Sequence, residues 1–444
     1  MHDEPQARPE PSAAAPAPES APAPVPVRAA ASRTPTARRR LWLAGGAVAA
    51  LVATVGTAGA SGSAAAAGGG SPATAGRQHA GHDLQRDTDA IRDAGVTGVQ
   101  VRTTGPDGRQ QTATSGVSDL RTGRPVAPNG YFRTGSTDKA LIATVMLKLA
   151  TEGRLSLDDS VGRWLPGLLS GEGYDENAIT LRHLLQHTSG IGDSGYPPME
   201  TRDEYYANRF HPRTAEQLVA AAMKEPPLFA PGRGWSYANT GFVVLSMVIE
   251  RVTGNPWPEE IERRVIKPLG LRHTRFPDGP RLPRPHAKGY TMFAGTEGPV
   301  DTTLLDDADA SGGHLSTTAD LTTFVRALFD GRLLTAAERR ELTRSVAVSE
   351  QVTKIWPGAR YGLGLFSRPT ACGERVWIPS GDMIGYRTRT GVSEDGRRSV
   401  VVSMSTQRLD SLVESKRQED ASTALIDDVL CPAGQGPKGS PSRG

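Results

Sequence analysis

Ser136 and Lys139 stand three residues apart in "YFRTGSTDKALIATVMLKLATEG" (131–153), in a 444-residue chain that holds only eight lysines. The apolar residues Leu141, Ile142, Val145, Met146 and Leu149 recur at helical spacing, so the pattern predicts a helix over 137–152 that opens at the serine and stops at Gly153. A hydroxyl at a helix N-terminus faces free N–H groups that favour developing negative charge. A lysine three residues on shares its face of the helix. Buried there, the amine loses its proton readily and becomes a general base for the hydroxyl. The plain alternative is an N-capping serine beside a surface lysine.

A second stretch, "PGRGWSYANTGFVVL", puts Tyr237 and Asn239 on a loop that runs into a helix. A tyrosine can pass a proton to or from a leaving group, and an asparagine can hold a lysine or a carbonyl; read alone, Asn239 is an N-cap. Between the two stretches, "HLLQH" spaces His183 and His187 four residues apart, a metal-ligand spacing. No H-E-x-x-H pattern accompanies it, and the plainer reading has His187 closing a helix end before Ser189-Gly190. No metal or other cofactor is expected.

The elements that must position these residues read as one unit from 81 to 434. A short amphipathic helix over 83–93 precedes a β-hairpin whose turn is "GPDG". Helices and Pro-rich joints dominate 166–305, read as an all-helical insert that includes "TGFVVLSMVIERVTG". A helix with Thr317 or Thr318 as N-cap follows. Strands are then expected at Tyr361–Phe366, Val376–Ile378, Tyr386–Gly391 and Ser399–Met404, and a last helix over 409–429. Strands at both ends with helices between them imply an α+β fold, an antiparallel sheet assembled from two distant segments.

Residues 1–80 differ. A Pro/Ala-rich tail leads to Arg38–Arg40 and an uncharged stretch over 41–60, the layout of an export signal resembling the twin-arginine type, with an uncleaved membrane anchor as the alternative. A Ser/Gly/Ala spacer follows, and 435–444 reads as a loose tail. Two cysteines, Cys372 and Cys431, fit export: in an oxidising compartment they would pair, and two buried free thiols are the alternative. Net charge is +3 with scattered basic residues, which argues against a nucleic-acid partner. A monomer is expected.

Ser136-Thr137-Asp138-Lys139, Tyr237-Ala238-Asn239 and "LRHLLQHTSGI" between them resemble the serine β-lactamase/penicillin-binding-protein family, nearest its branch of class C β-lactamases, secreted D-Ala-D-Ala carboxypeptidases and D-aminopeptidases. The resemblance implies a β-lactamase/transpeptidase-like α/β sandwich and an exported serine hydrolase that works through an acyl-enzyme. It implies Ser136 as nucleophile, Lys139 as its base, Tyr237 as proton shuttle, and Asn239 in contact with Lys139 and the substrate. It also implies a Cys372–Cys431 disulfide and, as substrates, cell-wall peptides or β-lactams.

The match weakens at the family's third motif. There Pro379-Ser380-Gly381 stands where the family has Lys-Thr-Gly or His-x-Gly, and Asp382 follows. Ser380 and Gly381 keep a hydroxyl and a glycine for substrate binding, and the Asp382 N–H falls at the oxyanion hole. The Asp382 carboxylate is expected to disfavour negative charge there. Phe366 occupies the place of a carboxylate-binding arginine, and Arg368, Arg387 and Arg389 read as surface arginines. Besides a carboxypeptidase, these changes admit an esterase or amidase of substrates without a free carboxylate, or a penicillin-binding pseudoenzyme.

Overall fold

The computed structural model describes residues 83–431. The expected tail, signal or anchor within 1–80 and the C-terminal tail at 435–444 lie outside the described residues. Among the described residues no helix is long and apolar enough to cross a membrane.

The hairpin forms from Gly98–Thr104 and Gln110–Asp119, closed where the Gly108 N–H donates to the Gly105 carbonyl at 3.0 Å. Gly98–Thr104 pairs antiparallel with Ser399–Met404, which joins the first segment of the domain to the last. From there the antiparallel sheet continues through Tyr386–Ser393, Arg375–Ile378, Phe366–Pro369, Arg360–Tyr361 and Val346–Ala347, ten strands among the described residues. The α+β fold with a sheet from two distant segments is therefore the observed architecture.

Alternation along Ser399–Met404 builds both layers. Val400, Val402 and Met404 pack with Leu84 and Ile91 of the Leu84–Asp93 helix and with Leu425 and Ile426 of the Leu412–Leu430 helix. Val401 packs on the opposite face, in the core that contains the Asp138–Thr151 and Thr318–Ala327 helices. The Asp138–Thr151 helix is buried nearly all round rather than along one stripe, as a helix at the centre of a large domain must be.

Two expectations about the elements are corrected. The stretch 166–305 is not all-helical: Tyr290–Met292 and Val300–Asp301 are strands, and the first runs parallel to Thr406–Arg408 beyond the end of the main sheet. The strand expected over Tyr361–Phe366 is broken into Arg360–Tyr361 and Phe366–Pro369. The break is Gly364, at φ +77°, where a Cβ would lie 2.4 Å from the Lys139 carbonyl oxygen. The chain turns there so that it can pass over the start of the Asp138–Thr151 helix.

Candidate active site

Ser136 lies in a 3₁₀ turn, Gly135–Thr137, that runs directly into the Asp138–Thr151 helix. Buried Asp138 braces this junction. Its Oδ1 accepts from the Thr134 hydroxyl at 2.7 Å, and its Oδ2 accepts from the Gly313 and His314 backbone N–H groups at 2.7 Å each and from His314 Nδ1 at 2.8 Å. Burial opposes ionisation of Asp138, but His314 and these hydrogen bonds outweigh it and hold the carboxyl below its ordinary range.

Lys139 is fully buried, and its Nζ lies 2.7 Å from Asn239 Oδ1, 2.8 Å from the Ser311 carbonyl and 3.1 Å from Ser136 Oγ. Burial lowers its pKa from 10.5 to about 8, against the opposing pull of Asp309, Asp193 and Asp138. Two of the three neighbours are carbonyl oxygens that can only accept. When the amine loses a proton, its two remaining hydrogens stay on those oxygens and its lone pair faces the Ser136 hydroxyl. That is the geometry of a general base.

Asn239 is free to hold Lys139 because another residue caps its helix. The cap of Asn239–Thr253 is Ala238, which has no capping side chain. Asp193, from a distant loop, accepts the Asn239 N–H at 2.8 Å and the Thr240 N–H and hydroxyl at 2.8 and 2.9 Å. Reading Asn239 alone as an N-cap is thereby corrected. Burial raises the Asp193 pKa despite those hydrogen bonds.

Tyr237 lies beside the Ser136 hydroxyl, with Lys139 Nζ 4.8 Å from its ring centroid. Burial drives its pKa well up, so it is a neutral phenol at physiological pH and a proton donor rather than a ready phenolate. Phe366 lies parallel to its ring within 4°, at 6.4 Å, and the His187 ring packs 4.3 Å away.

The Gly381–Met383 strand lines the other side. It pairs on one edge with Tyr386–Ser393 and sets its backbone against the Ser136 turn. A Cβ on Gly381 would lie 2.4 Å from Ser136 N, and one on Gly135, at φ +56°, would lie 2.5 Å from the Asp382 carbonyl oxygen. Two glycines thus let two backbones touch where a carbonyl oxygen must meet N–H groups. Ser380 Oγ accepts the Thr390 N–H at 2.9 Å and the Pro379 carbonyl accepts the Thr390 hydroxyl at 2.8 Å, which pins the strand from behind.

Asp382 does not present a lone charge to the site. Its carboxylate is bound by Arg389 through Nη1 and Nη2 at 2.7 and 3.2 Å and lies 3.4 Å from Arg387 Nε. Glu419 Oε2 holds both arginines at 2.8 Å each. Burial alone would raise the Asp382 pKa, but Arg389 and Arg387 overcome it and keep the group ionised. Two guanidiniums and two carboxylates balance. The expectation that Asp382 opposes an oxyanion is corrected by this pairing. The surface reading of Arg387 and Arg389 is corrected too, as is that of Arg368, which is buried and paired with Asp427 at 2.8 Å.

His183 and His187 do not share a helix face. The Leu181–Leu185 helix ends before His187, whose φ is +60°, and each Nδ1 accepts a backbone N–H, from Thr180 and Ala238 respectively, at 3.2 Å. Burial and the nearby Lys139 hold His187 well below its ordinary pKa, hence neutral. Cys372 and Cys431 form a disulfide between the turn after Phe366–Pro369 and the end of the last helix.

Sequence reasoning missed Asp193, Ser311, the Asp138–His314 pair and Glu419. One signal was readable: the glycine pair Gly312-Gly313 marks a close backbone approach, and a Cβ on Gly312 would lie 2.9 Å from the Gly135 carbonyl carbon.

Comparison with known proteins agrees with this geometry. A family model described as Beta-lactamase matches residues 84–425. The solved structure of a D-stereospecific amidohydrolase from Streptomyces sp. is similar at 35% identity and TM-score 0.68, covering 76% of this chain and 97% of that one. Penicillin-binding protein 4* of Bacillus subtilis (strain 168) is 27% identical over 64% of this chain and 63% of its own length. Esterase EstB of Burkholderia gladioli is 36% identical over 36% of this chain and 42% of its own. The chain thus spans less than two thirds of these two curated relatives. With its α+β sheet, its Ser-x-x-Lys pair with the lysine buried and a match across most of the described residues, the chain belongs to the β-lactamase family of serine hydrolases.

Proposed function

We propose that this protein hydrolyses an amide or ester that lacks a free carboxylate on its leaving group, through an acyl-enzyme on Ser136, rather than trimming a C-terminal D-alanine. One observation carries the reading. The position where a carboxylate-binding cation is expected holds Phe366, stacked on Tyr237, and the charged neighbours that act most strongly on Lys139 are the carboxylates of Asp309 and Asp193. A substrate carboxylate is repelled in such a site, whereas an amino group on the acyl side is welcome. The similarity to a D-stereospecific amidohydrolase supports an amide substrate with a D-configured acyl residue, and that to an esterase supports tolerance of esters.

In acylation, Ser136 Oγ bonds to the substrate carbonyl carbon while its proton passes to neutral Lys139. Negative charge on the carbonyl oxygen is received by the backbone N–H groups of Ser136 and Asp382. The leaving amine or alkoxide takes a proton from the Tyr237 phenol, which recovers one from Lys139, and the acyl group stays on Ser136. Water then attacks the acyl carbonyl as its proton passes to the same pair, the bond from that carbon to Ser136 Oγ breaks, and the pair returns the proton to Oγ as the acid leaves. The pseudoenzyme reading rests on Pro379 and on the Asp382 carboxylate beside the oxyanion position. With Asp382 neutralised by Arg389 and Arg387 it loses its main support.

The test compares a D-amino-acid amide with an acylated peptide ending in D-Ala-D-Ala, following release of ammonia or D-alanine. The expected result is a kcat/KM at least about a hundredfold higher for the amide, an advantage of roughly 2.7 kcal/mol in transition-state binding. Preference for the D-Ala-D-Ala peptide would overturn the proposal.

A further inference from the structure

We infer that His187 is a positioning residue for Tyr237: it clamps the backbone on both sides of the tyrosine and supports its ring, so that the phenol is held over Ser136. The inference rests on the reading of Tyr237 as the proton donor. Three observations carry it. First, the His187 carbonyl accepts the Ser236 N–H at 3.1 Å, and its Nδ1 accepts the Ala238 N–H at 3.2 Å. The residues on either side of Tyr237, Ser236 and Ala238, are therefore both fastened through their N–H groups to this one residue.

Second, the imidazole packs 4.3 Å from the Tyr237 ring, and Phe242 and Tyr361 enclose it at 5.4 and 4.6 Å. Because Nδ1 accepts, the ring hydrogen is on Nε2, which donates to the Tyr361 hydroxyl at 2.9 Å. Both nitrogens are thus committed and the ring cannot turn without breaking a bond. Third, among the described residues His187 is the one residue other than glycine with a positive φ, +60°. A side-chain-bearing residue keeps such a backbone only where its surroundings require it, and an outlier of this kind beside a reactive group points to function. Glycine would meet the backbone demand with less strain, so the imidazole itself is what the position retains.

His187→Gly separates the side chain from the backbone. It relieves the positive φ and keeps the carbonyl clasp on Ser236, while it removes the Nδ1 acceptor and the ring under Tyr237. The expected result, on a D-amino-acid amide, is a kcat about ten- to a hundredfold lower with KM within about threefold. His187→Asn should recover most of the loss, since asparagine tolerates a positive φ and offers Oδ1 to the Ala238 N–H.

Two further variants keep the outcomes apart. In a Tyr237→Phe background, itself slower than wild type, His187→Gly should cost less than about threefold more, because residues that act through one another are not additive. Tyr361→Phe, which deletes only the hydroxyl that receives the Nε2 hydrogen, should lower kcat about two- to fivefold and reports even where His187→Gly does not fold. A Tyr237→Phe defect with unchanged kcat in His187→Gly or, failing its expression, in Tyr361→Phe would overturn the clamp and leave the proposed function standing. Full additivity of His187→Gly and Tyr237→Phe would also overturn it. A Tyr237→Phe variant as fast as wild type would instead overturn the role of Tyr237, and the clamp with it.

Discussion

The Ser136 turn and the Gly381–Met383 strand face each other across the site, and they are built on opposite plans. At the turn, one helical repeat sets nucleophile and base together, and the ammonium finds its partners in Asn239 Oδ1 and the Ser311 carbonyl. At the strand, the reactive feature is backbone alone. Its exposed risk, the Asp382 charge, is cancelled by Arg389, Arg387 and, from the last helix, Glu419. Charge is used on one side of the site and neutralised on the other. That asymmetry keeps the lysine as the group that titrates near neutrality and leaves the N–H groups free for an oxyanion.

Gly381→Ala should break the comparison most severely. Its new Cβ would fall 2.4 Å from Ser136 N and force the two backbones apart. Loss of one oxyanion donor lowers kcat about a hundred- to a thousandfold, with the thermal midpoint moving far less. Steady-state kinetics beside a melting curve would check this, and an active Gly381→Ala enzyme would refute the contact.

Glu419→Leu tests the neutralising half. It leaves two arginines against one carboxylate in a buried setting, which costs about 3–5 kcal/mol of stability and weakens the strand behind Ser136. Urea denaturation of wild type and variant would reveal it; equal midpoints would mean that the cluster is not a closed unit.

The titrating half is sharpened by pH. With Lys139 near 8, kcat/KM should rise about tenfold from pH 7 to above pH 9 and then level. The effect on stability has the same sign. The folded pKa lies below the unfolded one, so between about 8 and 10.5 the unfolded chain binds the proton more tightly and stability from Lys139 rises with pH, by about 3 kcal/mol in all. Unfolding of wild type and Lys139→Met at pH 7.5 and 10 would capture about two thirds of that difference.

The smallest effect on turnover belongs to the disulfide. Cys372→Ser with Cys431→Ser opens a 59-residue separation and should cost about 2–4 kcal/mol of stability while kcat stays within about twofold. A large loss of kcat would tie the last helix to the site more closely than the present account allows.

The two regions also differ in how far they could be read before the structure was seen. Ser136 and Lys139 were legible because an i, i+3 spacing on an apolar helical pattern is local information. Tyr237 and Asn239 became legible only beside them. The sheet from two distant segments followed from strand patterns at both ends, but Gly364 split one expected strand, because its backbone answers to Lys139 some 225 positions earlier. Asp382 was misjudged for the same reason: Glu419, 37 residues on, belongs to a helix with no local reason to meet it. Asp193 does an N-cap's work from 46 residues away, and no pattern of spacing announces such a cap.

The central claim is that Ser136 carries the acyl group while Lys139 takes its proton. The most direct test treats the full chain with p-nitrophenyl acetate at pH 8.5, quenches it in acid at short times and measures intact mass beside Ser136→Ala and Lys139→Met. The account predicts one acetyl group on the wild type, located by peptide mapping at Ser136. It predicts none on Ser136→Ala, and formation at least about a hundredfold slower on Lys139→Met. An acetyl group that persists in Ser136→Ala at the same rate, or forms in Lys139→Met as fast as in the wild type, would contradict it.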